Sequence, residues 1–485
     1  MTIATLPPTN ERTQLFIDAA QKLLGSKGFT QDPELVEPWL TDWRGRYTGR
    51  ALGLASPAST QEVAELMRLC AQHRVPIVPQ GGNSGMAGGA TPDNSGDGVI
   101  LSLRRMNAVR SLDAGAGQVV CEAGVILQRL HDAAEAEGLR FPLTLGGKGS
   151  ATIGGLISTN AGGTQVLRYG TMRAQVLGIE AVLSDGQIFD SLTVLKKDNR
   201  GFDLKQLLIG SEGTLGIVTA ATLRMLPAPR SRVTAWVGLS SVIDARTLLR
   251  EADRTMGEAL EGFEIVPAHC LESVLAHLPD ARSPLEQAHT WNALIECTSP
   301  NDDTAGLQER LEEVLAGALE SDLIADAAIA ANGTQAEQFW TLRDSISAAE
   351  RALGPAMQHD ISVPVDKMPE FILAAIPAIE DEFSGVTGTA FGHLGDGNVH
   401  FHVIAPKGVV PGEWEEAQGK QVSARVHDLV TQWGGSISAE HGIGQMKVDE
   451  LGRLGDPVAL SMMRSVKSAL DPHGLLNPGK LVPQA

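Results

Sequence analysis

Three glycine-dense runs constrain the fold of this chain more than any other feature. They span Gln80–Gly89, Gly154–Gly163 and Gly210–Gly216, and the first follows a short apolar strand predicted over Val75–Val78. Glycine lets the backbone approach a ligand closely, and successive inward N–H groups form a nest suited to phosphate. The first run is neither the Rossmann fingerprint nor a P-loop, because it lacks both GxGxxG with a following acid and GK[ST]. Tight turns alone would explain one run, but three runs indicate one large phosphorylated ligand.

Histidines cluster in a second segment, Phe391–His402. Asp396-Gly397 is a typical two-residue hairpin turn, in which both central positions need positive φ. That turn predicts His393 opposite His400, and opposed residues have Cβ atoms about 5 Å apart. His402 lies two residues further along and therefore points to the same face. The alternative interpretation is a polar hairpin with solvated histidines.

A carboxylate and an imidazole stand side by side later in the chain, at Glu440 and His441 within Ser438–Gly444. Two histidines, one glutamate and an open coordination position form the ligand set of a catalytic divalent-metal site, typically zinc. The pattern therefore predicts a metal site made by His393, His400 and Glu440.

The composition is that of a globular protein of two or three domains, with 485 residues, 43% hydrophobic and 20% charged. A net charge of −19 repels nucleic acid and anionic membranes, so we interpret it as a solubility feature. The four cysteines are far apart in sequence, which predicts buried, reduced side chains. The first residues lack the pattern of a signal peptide, and no apolar stretch approaches the roughly 20 residues of a membrane span. The predicted location is the cytoplasm.

The glycine density falls after Leu226–Pro229, which is a predicted domain boundary. Beyond it, strand–helix–strand patterns recur over 233–266 and 291–330. Two such units of similar size predict a separate α+β domain with an antiparallel sheet of ferredoxin-like type. The histidine hairpin closes this domain.

The glycine runs resemble the FAD-binding segments of the vanillyl-alcohol-oxidase (VAO) superfamily over Val78–Gly85, Gly154–Gly163 and Gly210–Ile217. The histidine stretch, Glu440-His441 and Asn477–Gly479 resemble its FAD-dependent D-2-hydroxyacid dehydrogenase branch, which includes D-2-hydroxyglutarate and D-lactate dehydrogenases and the glycolate oxidase FAD subunit. The resemblance implies an α+β fold: a two-subdomain VAO/PCMH-type FAD-binding domain plus an α+β cap domain with an antiparallel sheet. The implied divisions are an N-terminal helix (1–35), the FAD-binding domain (36–227), the substrate or cap domain with the histidine hairpin (228–432), and a C-terminal segment that returns to the FAD domain (433–485).

The resemblance also implies which residues bind FAD. No histidine stands beside the first glycine run to attach flavin covalently, so the FAD is expected to be non-covalent. The implied FAD-binding residues are Pro79, Gly81, Gly82, Asn83, Ser84, Gly85, Met86, Gly147, Ser150, Gly154, Gly155, Thr159, Asn160, Gly162, Gly163, Glu212, Gly213, Gly216, Ile217 and Asn477.

The implied reaction removes the hydroxyl proton of a D-2-hydroxyacid and sends hydride from Cα to flavin N5. The electrons then pass to an external acceptor such as an electron-transfer flavoprotein or a quinone. A chelated zinc or manganese ion would lower the hydroxyl pKa, and His441 would take the proton because an imidazole pKa lies near operating pH. Arg343 would clamp the substrate carboxylate bidentately, and a surface ion pair is the alternative interpretation of this residue. Arg343 and Ser347 are predicted one turn apart on a helix over 336–352.

Two positions depart from the family pattern. Gln358 stands where D-2-hydroxyglutarate dehydrogenases tend to carry lysine, which removes a positive charge from the side that would receive a second carboxylate. His402 stands where the family often has asparagine, and it would contact substrate or join the metal shell. We therefore expect Arg343, Ser347, Gln358 and His402 to bind a substrate similar to D-2-hydroxyglutarate or D-lactate.

Three alternatives stay open at this stage. A non-haem metal oxygenase also uses two histidines and a carboxylate, but it leaves the glycine runs without a role. A non-catalytic FAD-binding subunit of a multi-component glycolate-type oxidase would not need the histidine set. A flavin enzyme without net redox chemistry, such as one that makes alkyl ethers, would not reduce an acceptor dye. The oligomeric state expected is a homodimer.

Overall fold

The computed structural model describes residues 9–195 and 197–484, with the side chains of residues 9 and 10 left out. The helices of this described part are α1 Thr9–Gly28, α2 Pro33–Val36, α3 Thr60–His73, α4 Leu127–Glu135, α5 Ile153–Thr159, α6 Val166–Tyr169, α7 Met172–Gln175, α8 Lys205–Leu208, α9 Val242–Met256, α10 Ala268–His277, α11 Thr304–Glu320, α12 Gly333–Asp344, α13 Ile346–Leu353, α14 Met368–Glu382, α15 Lys420–Gln432, α16 Val448–Leu454 and α17 Pro457–Leu470.

Short strands alternate with these helices in the first half of the chain, and longer ones follow. They are β1 Phe29–Thr30, β2 Leu54–Ala55, β3 Ile77–Gln80, β4 Val99–Ser102, β5 Val109–Asp113, β6 Gln118–Glu122, β7 Leu139–Arg140, β8 Val176–Val182, β9 Ile188–Ser191, β10 Ile217–Arg224, β11 Leu226–Pro227, β12 Ser231–Leu239, β13 Leu260–Pro267, β14 Trp291–Ser299, β15 Asp326–Ile329, β16 Ala356–Ser362, β17 Thr387–His393 and β18 Asn398–Ile404.

The chain divides into two compact units. The first unit consists of the described residues of Met1–Gly163, Gly170–Pro227 and Glu440–Ala485, and the second consists of Thr164–Tyr169 and Ala228–Ala439. The tail after residue 439 therefore belongs with the glycine runs, whereas the histidine hairpin belongs to the second unit.

The first unit contains two main sheets. Strands β2, β4 and β3 run parallel in the order β1-β2-β4-β3, with β1 antiparallel at the edge, and the other sheet is antiparallel in the order β5-β6-β10-β8-β9. Each sheet has its own apolar core, because α1 and α3 cover the first sheet and α4 and α5 pack against the second. Two α+β subdomains result.

Helix α3 shows how the sequence starts such an element. The Ser59 hydroxyl accepts a hydrogen bond from the Glu62 N–H at 3.2 Å, and the Glu62 carboxylate accepts one from the Ala58 N–H at 2.7 Å. This side-chain capping satisfies N–H groups that the helix itself cannot pair. The apolar face that follows is fully buried, and it consists of Val63, Leu66, Met67 and Cys70.

The second unit is built on one antiparallel sheet of seven strands, in the order β15-β12-β14-β13-β17-β18-β16. Its β15-β12-β14-β13 part has ferredoxin-like strand order, with α9 and α11 as the connecting helices. Helices α9, α11, α14 and α15 pack on one face, and α10, α12 and α13 pack on the other. Because side chains alternate along a strand, the second of these faces receives Phe391 and the residues two positions from it.

The four cysteines are buried and unbridged, as the sequence predicted: Cys70, Cys121, Cys270 and Cys297. Burial raises the pKa of the Cys121 and Cys297 thiols to about 12, so both stay protonated at neutral pH. No helix in the described ranges is long and apolar enough to cross a membrane.

Candidate active site

The backbone of the first glycine run carries a row of unused donors. None of the N–H groups of residues 81–86 donates a hydrogen bond to any described part of the chain. Asn83 has φ 51°, and its side-chain amide donates to the Thr41 carbonyl at 2.9 Å, which fixes the bend of the run. Consecutive N–H groups around a left-handed residue form the kind of nest that binds phosphate oxygens. This segment therefore fits the pyrophosphate of a dinucleotide.

Glycine is required in this unit where backbones nearly touch. A Cβ on Gly82 would lie 1.8 Å from the Ser150 carbonyl oxygen, and a Cβ on Gly213 would lie 2.4 Å from the Pro79 ring. Gly213 also has φ 71°, which favours glycine. These contacts bring the first run against the segment before α5 and against the third run.

Glu212 ties the third run to the tail of the chain. Its backbone N–H donates to the Ser158 carbonyl at 2.8 Å, and its carboxylate accepts from the N–H groups of Ile443 and Gly444 at 2.7 and 2.8 Å. Burial raises the pKa of this carboxyl despite those bonds. The predicted cofactor residue Glu212 thus acts on the backbone that carries the Glu440–His441 loop.

Asn477 performs a similar task from the last residues of the chain. Its amide donates to the carbonyls of Glu212 and Gly89 at 2.8 and 2.9 Å, and its side-chain oxygen has no partner among the described residues. A buried acceptor without a donor is costly, so this oxygen is suited to accept a hydrogen bond from a bound ligand. The predicted metal ligand Glu440 also belongs to this unit, where its carboxylate borders Gly162: a Cβ on that glycine would lie 2.5 Å from it.

The histidine hairpin forms, but its register differs from the prediction. His393 pairs with Asn398 and Phe391 pairs with His400, so the connection is a four-residue loop over Leu394–Gly397. Of the two residues predicted to form the turn, only Gly397 has positive φ, at 82°. Leu394 is fully buried, and its N–H donates to the carbonyl of Phe263 on β13 at 3.1 Å. The loop is two residues longer than predicted because Leu394 bonds to β13 and packs into the core instead of pairing with β18.

The three histidines nevertheless share one face of the sheet. The rings of His393 and His400 have centroids 5.5 Å apart. The Phe391 ring lies beside two of the histidines, with its centroid 5.2 Å from the ring centroid of His400 and 5.2 Å from that of His402. The guanidinium carbon of Arg343 is 5.8 Å from the same Phe391 centroid. The face therefore combines imidazoles with one cation that can bind a carboxylate.

Buried carboxylates hold two of these histidines. Glu264 is hydrogen-bonded to Nδ1 of His393 and accepts from Nε of Arg343 at 2.9 Å, and Glu350 lies 2.5 Å from Nδ1 of His402. Burial opposes ionisation of Glu264, but the charges of Arg343 and His393 outweigh it and lower the pKa of Glu264 to about 2. Burial and the nearby Arg343 charge lower the pKa of His400 well below its usual value, which keeps that imidazole neutral.

The helix predicted over 336–352 is broken at Ser345. Arg343 is therefore in the last turn of α12 and Ser347 is in the first turn of α13, instead of one turn apart on one helix. Ser345 is the residue between the two helices, and its φ and ψ, −81° and −6°, are still in the right-handed helical region. Gln358 lies on β16 directly opposite His402 on β18, so the two positions that depart from the family pattern are cross-strand neighbours.

The histidines suit a metal in part. The ring separation and the Glu264 bond to Nδ1 of His393 are typical of metal-binding histidines. Among the described residues, however, no three His, Cys, Asp or Glu side chains form a group that could hold a metal ion. The described residues therefore fit a metal ion only incompletely.

Sequence reasoning missed Glu264 and Glu350. Glu264 stands between the apolar residues Phe263 and Ile265 on β13, and a carboxylate between apolar strand neighbours was the available signal, since unpaired charges are seldom buried. Glu350 is followed by the exposed Arg351 on α13, so its sequence neighbours gave no such signal.

Comparison with known proteins identifies the chain as an FAD-dependent dehydrogenase. The model of an FAD-binding domain matches residues 51–191, and that of the C-terminal domain of FAD-linked oxidases matches residues 228–481. The chain belongs to the FAD-linked oxidases, in the FAD-dependent D-2-hydroxyacid dehydrogenase family.

Curated relatives support this membership over nearly the whole chain. The mitochondrial D-2-hydroxyglutarate dehydrogenase of Arabidopsis thaliana is 38% identical and aligns with 96% of this chain and 81% of its own length. The mitochondrial D-2-hydroxyglutarate dehydrogenase of Bos taurus is 39% identical and aligns with 93% of this chain and 80% of its own length. A D-2-hydroxyglutarate–pyruvate transhydrogenase of Saccharomyces cerevisiae is 32% identical and aligns with 93% of this chain and 91% of its own length.

Solved structures confirm the predicted fold class. The chain superposes on p-cresol methylhydroxylase with a TM-score of 0.75 at 15% identity, covering 99% of both chains. It superposes on alkyldihydroxyacetonephosphate synthase with a TM-score of 0.73 at 16% identity, covering 99% of this chain and 87% of the other. At these identities the likeness shows the VAO/PCMH-type fold alone.

The predicted cytoplasmic location is wrong by this comparison. The plant and bovine relatives are named as mitochondrial enzymes. The prediction relied on the absence of a recognisable leader in the first residues, and that absence was too weak a signal.

Proposed function

We propose that this protein oxidises a D-2-hydroxyacid to the 2-oxoacid. Bound FAD supplies the hydride acceptor, N5 of the flavin. The observation that carries the proposal is the position of Arg343, whose guanidinium is held by buried Glu264 on the sheet face that also bears His393 and His400. A fixed guanidinium beside imidazoles suits a substrate that combines a carboxylate with an adjacent ionisable hydroxyl.

Arg343 binds the substrate carboxylate in this proposal, and the Ser347 hydroxyl adds a hydrogen bond. His441 accepts the hydroxyl proton at its imidazole while hydride leaves Cα. These roles are carried over from the family resemblance, and the fixed guanidinium supports the first of them.

The divalent metal stays a prediction, with zinc or manganese held by His393, His400 and Glu440. No step above depends on it. Elemental analysis of the purified protein and of a His400→Ala variant tests it: one equivalent in the parent and loss in the variant supports the site, and a metal-free parent that still reduces its flavin contradicts it.

The substrate is a D-2-hydroxyacid similar to D-2-hydroxyglutarate or D-lactate. The names of the plant and bovine relatives favour D-2-hydroxyglutarate, whereas Gln358 supplies no charge for a second carboxylate. His402 lies opposite Gln358 and contacts the same substrate end in this proposal.

The electron acceptor proposed is an electron-transfer flavoprotein or a quinone, and the oligomer proposed is a homodimer. Light scattering of the purified protein tests the oligomer. Reoxidation of the substrate-reduced flavin by each acceptor, with pyruvate added as a third, tests the acceptor, since the yeast relative is named a transhydrogenase.

The deciding experiment is anaerobic bleaching of the flavin by a panel of D-2-hydroxyacids and their L-enantiomers. Bleaching by at least one D-acid and by none of the L-acids is expected. A flavin-loaded protein that no hydroxyacid reduces would favour the non-catalytic subunit alternative. The match to an FAD-binding domain gives the first two glycine runs a ligand, which the oxygenase alternative does not.

A further inference from the structure

One carboxylate, that of Glu264, contacts two groups of the proposed active site at once. Its side chain is 1% exposed and lies in the middle of β13. One oxygen accepts from Nε of Arg343 on α12 at 2.9 Å, and the other is hydrogen-bonded to Nδ1 of His393 at the end of β17. Glu264 and His393 are also direct cross-strand partners. A single side chain therefore links a helix and two strands at the proposed site.

These two bonds set the direction of both partners. A carboxylate against Nδ1 of His393 requires the proton on that nitrogen, so Nε2 is the nitrogen turned towards Arg343, whose Nη2 is 3.5 Å away. Glu264 engages Arg343 through Nε, and Nη1 of the same guanidinium lies 4.0 Å from the Asp344 carboxylate. The bond through Nε fixes the plane in which the two terminal nitrogens would pair with a substrate carboxylate. Glu264 thereby orients the Arg343 guanidinium without bonding to its two terminal nitrogens.

A partly buried glutamate of the same sheet provides a comparison. Glu296 on β14 also accepts from an arginine and from a ring N–H, namely Arg232 at 2.6 Å and Trp340 at 2.7 Å. Glu296 therefore has the same type of partners as Glu264, but it contacts none of the residues assigned to the reaction. Replacing Glu296 therefore tests the loss of a glutamate that pairs with an arginine elsewhere in this sheet, which can be compared with the loss of Glu264 in particular.

We propose that Glu264 is a positioning residue for the proposed oxidation. It holds Arg343 and His393 in one fixed arrangement towards the carboxylate of a 2-hydroxyacid. The inference rests on the proposed function for its substrate, but the contacts themselves are a property of the second unit.

The test uses the FAD-loaded protein and five variants: Glu264→Gln, Glu264→Asp, Arg343→Lys, the double variant Glu264→Gln with Arg343→Lys, and the control Glu296→Gln. Oxalate, which carries carboxylates but no hydrogen for transfer, is titrated against the flavin spectrum to give a dissociation constant. Steady-state KM and kcat are measured with the best D-2-hydroxyacid. Gln keeps the size of the side chain but presents an N–H to one partner, so it cannot accept from both.

Glu264→Gln is expected to weaken oxalate binding and raise KM by about 10- to 100-fold, the usual range for an orienting partner, with a smaller change in kcat. Glu296→Gln should change the oxalate dissociation constant and KM by less than about two-fold. Adding Glu264→Gln to Arg343→Lys should cause little further loss, since groups that act through one another are not additive.

Parent-like oxalate binding and KM in Glu264→Gln would overturn the proposal, as would full additivity with Arg343→Lys. If Glu264→Gln does not fold, Glu264→Asp keeps the buried charge but is too short to reach both partners, so parent-like values there overturn it equally. A parent protein that binds oxalate but whose flavin is reduced by no hydroxyacid refutes the proposed function. In that case the oxalate dissociation constants of the parent and of Glu264→Gln still test whether Glu264 positions Arg343.

Discussion

The close approach of the first glycine run to Ser150 gives a prediction whose size follows from the geometry. An alanine Cβ at Gly82 would lie 1.8 Å from the Ser150 carbonyl oxygen, and real Cβ atoms essentially never come within 3.0 Å of another heavy atom. The backbone of one segment must therefore move by at least the difference between 1.8 and 3.0 Å, about 1.2 Å. Overpacking costs roughly 1–3 kcal/mol, and a clash between two backbones belongs at the upper end. A loss of about 3 kcal/mol corresponds to roughly 6–12 °C in Tm for a domain of this size.

Gly85→Ala is the matched control within the same run. Nothing lies within 4 Å of a Cβ built on Gly85, and its φ is not in the left-handed region. Replacing glycine by alanine at a compatible position changes stability by only about 0.4–1 kcal/mol, and in the favourable direction. Any effect of Gly85→Ala should therefore appear in FAD affinity and not in the fold.

The assay combines thermal unfolding with FAD content after gel filtration, for both variants and the parent. We expect Gly82→Ala to lose several degrees of Tm together with FAD, and Gly85→Ala to keep the parental Tm. A Gly82→Ala protein that unfolds within about 2 °C of the parent and retains full FAD would refute the reasoning, because the first run would then not be held against Ser150.

Three further predictions concern single positions. His441→Ala should retain FAD but stop substrate-dependent bleaching, and normal flavin reduction in that variant would remove His441 as the proton acceptor. Gln358→Lys should raise the ratio of kcat/KM for dicarboxylic over monocarboxylic hydroxyacids, and an unchanged ratio would remove Gln358 from the specificity argument. Lys480 is 4% exposed, and burial lowers its pKa to about 8 from 10.5, a shift worth at most about 3 kcal/mol. Between pH 8 and pH 10.5 Lys480 is therefore protonated in the unfolded protein but largely neutral in the folded protein. Because the unfolded state binds more protons in this range, the contribution of Lys480 to the free energy of unfolding should rise with pH. Lys480→Met should raise Tm at pH 7 and lose that advantage near pH 10, and an equal Tm difference at both pH values would contradict it.

The glycine runs and the histidine face could be predicted from sequence because both depend on local rules. Glycine at a close approach is a local requirement, and the side chains of a strand alternate whatever their partners. The predicted hairpin register is wrong by two residues, since His393 faces Asn398 and not His400. A shift of two keeps every side chain on its face, whereas a shift of one would have turned the histidines into the opposite core.

The carboxylates that hold these histidines could not be predicted in the same way. Glu264 precedes His393 by 129 positions, and Glu350 precedes His402 by 52. Their partners are set by the strand order of the sheet and by the packing of α13, and neither is a property of a short sequence window. The break at Ser345, which separates Arg343 from Ser347, also depends on this packing, since α12 and α13 both cover the same face.

The two positions predicted to depart from the family pattern are neighbours in the sheet. Gln358 and His402 face each other across β16 and β18, so a side chain altered at one position alters the surroundings of the other. His402 is in turn fixed by Glu350, whose second oxygen lies 3.9 Å from the Cys270 thiol in a buried cluster. A lysine at position 358 would therefore enter a region that already contains a buried carboxylate bonded to His402. Under the proposed function, selectivity at this end of the substrate would therefore follow from the Gln358–His402–Glu350 set as a whole and not from position 358 alone.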